Sequence, residues 1–162
     1  SNKQGWIGVQ WAKRVGVCTL LLYGLMGCAS TPPKPAKDSS QEIKRLSAAC
    51  MAASGSQTLE AMLIPKAATG LANQLVVAYS AVFDSPLVDN LTKMLDNPKR
   101  EVVLVASGND AAAAAILKRA LSKLEPKPPG ERAPVCLAAD ERYQAEVKEA
   151  GERVGVAVFG VQ

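Results

Sequence analysis

Three apolar, β-branched runs limit the folds open to this chain more than any other feature: "EVVLVAS" at 101–107, "PVCLA" at 134–138 and "VGVAVFGV" at 154–161. Each is too short for a helix, and each is apolar on successive residues rather than on alternate ones. Alternation marks a sheet with one wet face, whereas a continuous run marks a strand covered on both faces. Segments of helical period lie between the runs. The segment 110–124 brings Ile116, Leu117, Ala120, Leu121 and Leu124 to one face. The segment 140–150 does so with Tyr143, Val147 and Ala150, and Gly151 is its expected stop. Strand, helix, strand, helix, strand implies parallel pairing, because a parallel neighbour is reached only through a crossover.

The residues upstream extend this pattern. A helix over 41–53, capped by Ser40, places Ile43, Leu46, Cys50 and Ala53 together, and Ser54-Gly55-Ser56 ends it. "TLEAMLI" at 58–64 is a candidate fourth strand. From 66 to 83 the period is helical, with Leu71, Leu75, Ala78, Tyr79 and Val82 on one arc. Asp84-Ser85-Pro86 restarts a helix whose stripe is Leu87, Val88, Leu91, Met94 and Leu95, closed by Asn97-Pro98. The alanines at 111–115 suit a helix lying close on a sheet. The expected fold is a small three-layer α/β domain, with a parallel sheet of three or four strands and helices on both faces.

The first 40 residues are of another kind. Lys13-Arg14 precedes an apolar run at 15–26, about a dozen residues against the roughly 20 that span a bilayer as a helix. A basic flank, a run of that length and a small-residue exit have the anatomy of a signal peptide. The run ends in Leu25-Met26-Gly27-Cys28, which resembles the lipobox of bacterial lipoproteins. The resemblance implies a signal peptide at 1–27 and lipidation of Cys28 as the first processed residue. It also implies a membrane anchor, and with Ala29-Ser30 following rather than an Asp, it points to the outer membrane. Several acyl chains together hold firmly where one is marginal. Residues 28–40 then read as an acylated tether, with three prolines after Cys28 and no large apolar residue. Residues 41–162 read as the periplasmic α/β domain.

Charge and cysteine usage narrow the function. Lys3, Lys13 and Arg14 precede Cys28 with no acid among them. The remainder carries 16 Lys and Arg against 15 Asp and Glu, so no basic footprint for nucleic acid is left on the domain. The chain has no histidine, which excludes Ser-His-Asp and Cys-His catalysis and His-ligated zinc within it. Cys50 and Cys136 are the two cysteines of the domain. In an oxidising compartment they form a candidate disulfide; otherwise they are two small buried hydrophobes.

The candidate ligand residues sit on the crest where strands end and helices begin. Ser107, Gly108, Asn109 and Asp110 follow one strand, Asp140 follows the next, and Asp84 is a further candidate if it projects that way. Backbone N–H groups with Ser107 and Asn109 can hold an anion, and two carboxylates with Ser and Asn can hold Mg²⁺. The competing reading is local: Ser107 and Asp110 as a capping box and Asp140 as a helix cap. Ser80 and Ser107 have no base at hand beyond Lys66 or Lys118. The loop "EPKPPGERAP", 125–134, is either a docking loop around Lys127 and Arg132 or a rigid connector.

The leading expectation is a membrane-anchored accessory lipoprotein that binds protein or another envelope component, without a cofactor. The alternatives are a small-ligand or anion-binding domain at the crest, and a carboxylate- or metal-dependent enzyme there.

Overall fold

The computed structural model describes residues 36–37 and 39–162, apart from the side chains of 80–82. The signal-peptide and lipobox readings, Cys28 among them, lie outside the described residues. The order is α1 (Ser40–Ser54), β1 (Glu60–Ile64), α2 (Gly70–Val82), α3 (Pro86–Leu95), β2 (Val103–Ser107), α4 (Asp110–Ser122), β3 (Val135–Ala138), α5 (Glu141–Arg153) and β4 (Val158–Val161). The strands form one parallel sheet in the order β1-β2-β3-β4. The fold is thus the expected α/β domain, with 58–64 supplying its fourth strand.

Strand order equal to chain order has a consequence for the helices. Every crossover steps to the next strand in the same direction, so crossovers of one hand fall on one face. Val88, Leu91 and Leu95 of α3, Ile116, Leu117 and Leu121 of α4, and Val147 of α5 accordingly share one core. They pack there with Ile64, Val103, Val105, Val135 and Leu137. Helix α1 precedes the sheet and covers the opposite face, where Leu46 and Cys50 meet Leu104, Ala106, Cys136 and Ala138. The register pairs Leu104 with Cys136, so these inward residues stand side by side.

Cys50 and Cys136 are joined, with Cα atoms 5.7 Å apart. The bridge ties α1 to the second-last strand and closes a loop across a separation of 86 residues. Arg45 of α1 also reaches the carbonyl of Gln162.

Helix α5 runs through Gly151 to Arg153, past the stop expected there. The reason is contact rather than capping. A Cβ at Gly151 would lie 2.6 Å from the Val156 carbonyl oxygen and 2.5 Å from Val158 Cγ2, so the glycine lets the returning chain press against the helix. The turn that follows uses Gly155, at φ +74°, packed under the Lys127 carbonyl.

The 125–134 loop is a connector locked from inside. Arg132 is buried, donating to the carbonyls of Glu125 and Val154 and to Asp96 Oδ1, which Lys127 also contacts. A docking role for either basic residue competes with these ties.

Helix α2 departs most from expectation. Its arc of Leu71, Leu75 and Tyr79 does not enter the core. These side chains are 70%, 62% and 53% exposed, and Phe83 just beyond is 55% exposed. The partly buried Ala72, Asn73, Val76 and Val77 are the less exposed side of the helix. Helix α2 packs against α4, whose small side chains at 111–115 admit a neighbour at close range.

Candidate functional site

The crest residues gather around a cleft of about 530 Å³, where the N-terminal turns of α4 and α5 meet α2. Gly108, Asn109, Asp110 and Asp140 line it, and Lys66, Asn73 and Arg142 join them. In sheets whose strand order reverses, a ligand crevice opens at the switch point. Here the order never reverses, so the cleft owes its existence to α2 leaning over the helix ends.

The side chains at the crest are largely taken up by the fold. Ser107 is fully buried, and its Oγ accepts the backbone N–H of Asn109 at 3.0 Å. Asn109, rather than Ser107, caps α4: its Oδ1 accepts from the Ala112 N–H at 3.4 Å. The capping box expected between Ser107 and Asp110 is therefore replaced by a turn and a cap one step apart. Asp140 sits at the cap position of α5 but makes no side-chain cap bond, and Arg142 Nη2 lies 3.6 Å from it. The Arg142 guanidinium stands 4.8 Å over the Tyr143 ring.

Asp110 is the most committed group. Lys37 Nζ bonds both of its oxygens, at 2.7 and 2.8 Å, and Oδ2 also accepts the Asp140 backbone N–H at 2.9 Å. One carboxylate thus links the segment before α1, the start of α4 and the β3–α5 turn. Sequence reasoning missed Lys37, because a lysine 73 residues away in a proline-rich stretch carries no local signal. Asn73 closes the β1–α2 loop in a similar way, bonding the backbone N–H and C=O of Ala67.

The remaining candidates go elsewhere. Asp84 is not part of the cleft; it pairs with Arg119 and Lys123 at 3.0 Å each, and Lys123 first, then Arg119, hold its carboxyl below the usual range. Lys118 bonds Glu146, whose carboxyl it depresses likewise, and so is engaged away from Ser107. The Ser80 side chain is outside the described residues. Among the described residues, no cluster of three Asp, Glu or Cys groups has the makings of a metal site, and no helix is long and apolar enough to cross a membrane. No family model, curated protein or solved structure matches this chain.

Proposed function

We propose that this chain is a lipid-anchored envelope protein whose α/β domain acts as an accessory binding module facing the periplasm. Cys28 is its lipid-bearing residue, and the anchor is in the outer membrane. The observation that carries the reading is the Cys50–Cys136 bridge. It involves residues remote from Leu25-Met26-Gly27-Cys28, yet both features belong to an oxidising space outside the cytoplasm. At the crest the buried serine, the asparagine and the central carboxylate are each engaged in holding loops together, which speaks against their use as catalytic groups. The test is the mass of the processed N-terminus. The reading expects a chain that begins at Cys28 with fatty acyl mass on it, and loss of membrane retention in Cys28→Ala. A processed chain that starts elsewhere, or carries no acyl group, overturns it.

A second reading has one observation in its favour. The cleft has the size of a small-ligand pocket and carries Lys66 and Arg142 on its rim. An anionic metabolite held there would raise the thermal midpoint of the protein, and Asn109→Ala with Asp140→Asn would abolish that rise. No shift across a panel of anions and divalent ions removes this reading, and turnover lost in the same variant would make the site an enzyme's.

A further inference from the structure

We propose that the outward face of α2 lies on the bilayer to which the chain is anchored, with Leu71, Leu75, Tyr79 and Phe83 inserted at the level of the headgroups. The proposal rests on the reading of Cys28 as lipid-bearing and adds the surface that meets the membrane.

Three observations lead to it. The first is the stripe itself. Leu71, Leu75, Tyr79 and Phe83 recur every four residues, so they form one row about 18 Å long, and each is more than half exposed. Tyr79 and Phe83 stack with ring centres 4.9 Å apart. Helix α2 contains no charged residue at all. A helix of that kind on an outer surface marks an interaction face, and aromatic residues beside leucines suit the boundary between headgroup and acyl chain.

The second is a groove of about 590 Å³ that runs beside the stripe. Leu75, Tyr79, Phe83, Leu87 and Ile116 line it, so apolar surface continues from the row into a recess.

The third is where the chain leaves the domain. Lys37 is fixed on Asp110, and Asp110 shares its cleft with Asn73, Gln74 and Val77 of α2. The chain therefore departs near the cleft that the first turns of α2 help to line. Only eight residues lie between Cys28 and Lys37, a reach of about 30 Å when fully extended. That is no more than the width of a domain this size. A leash so short, attached at that point, keeps α2 within range of the bilayer surface, and the apolar row makes contact favourable. A second copy of the chain on the same face is the competing occupant.

The processed chain offers a clean probe, because its two tryptophans, Trp6 and Trp11, both precede Cys28. The full chain, processed and acylated, carrying Tyr79→Trp or, separately, Phe83→Trp, is reconstituted into vesicles of phosphatidylethanolamine and phosphatidylglycerol. Emission is recorded with and without lipids brominated near the headgroup end of the acyl chain. The expected result is blue-shifted emission quenched at least twofold by the brominated lipid in both variants, and quenching lost when Leu71→Asp and Leu75→Asp are added while the acyl mass is retained. Water-exposed emission from both variants on acylated, vesicle-bound protein overturns the proposal. So does a blue shift that ignores brominated lipid and grows with protein density, which would assign the face to a second copy. The two readings separate in this experiment. Acyl mass with an unquenched probe sinks the docking alone, whereas a quenched probe on a chain that has lost Trp6 and Trp11 yet carries no acyl mass sinks the anchor alone.

Discussion

Opening the Cys50–Cys136 bridge is the perturbation with the largest expected effect. The bridge spans 86 residues of chain. In the chain-entropy account, closing a loop of that length removes about 15 cal/mol/K from the unfolded ensemble, or about 4.6 kcal/mol at 25 °C. Both cysteines are fully buried in the layer between α1 and the sheet, so the native contacts of α1 survive reduction largely intact. Domains of this size are stable by roughly 5–15 kcal/mol, so the loss is a large fraction of the whole. With an unfolding entropy near 2.1 cal/mol/K per residue over roughly 125 residues, it corresponds to a fall of about 17 °C in Tm. The assay is urea unfolding followed by far-ultraviolet circular dichroism, with and without a phosphine reductant, and with Cys50→Ala plus Cys136→Ala as the permanent form. Before it, tryptic digestion without reductant should yield the peptides 46–66 and 133–142 as one linked species. The reasoning fails if those peptides appear separately, or if oxidised and reduced protein unfold within about 1 kcal/mol of each other.

Three smaller predictions test the packing around the site. Gly151→Ala should destabilise by about 1–3 kcal/mol, because overpacking against the Val156 carbonyl outweighs the roughly 1 kcal/mol that alanine offers a helix; equal or higher stability in urea would show that α5 and β4 can separate. Arg132→Met should cost about 2–3 kcal/mol by leaving the carbonyls of Glu125 and Val154 without their donor, and a change under 1 kcal/mol would show that water enters there. Asp96 has its carboxyl lowered by Lys127 and then by Arg132, so its folded value lies below the unfolded one near 3.9. Its contribution is present above that pH and lost as pH falls below it. Asp96→Asn should flatten the acid limb of the stability curve by less than about 1 kcal/mol, since the group is half exposed, and an unchanged limb would remove the assignment.

The sheet was legible because burial on both faces leaves a mark in composition: the runs at 101–107, 134–138 and 154–161 each contain a strand. Their ends were less legible. The third run spans Gly155, whose positive φ turns the chain, so only Val158–Val161 pairs in the sheet. The crest was partly legible. Gly108, Asn109, Asp110 and Asp140 do come together at one cleft, because parallel strands bring the following turns to one edge. The roles inside it were not legible, since a capping serine and a turn serine differ only in backbone angles, and Lys37 arrives from far along the chain.

Local periodicity settled which segments are strands and helices, the order in which they alternate, and the parallel pairing that this order demands, all of which arise from neighbours in the chain. Only the tertiary structure decided that Cys50 meets Cys136, that Asp110 is held by Lys37, and that the apolar arc of α2 faces outward. Helix α2 shows the physical reason. Its period of 3.6 marks an apolar side, but whether that side meets a core depends on the space remaining. Here α3, α4 and α5 already cover that face of the sheet, and the helix is left resting on α4 with its leucines and aromatic rings outside.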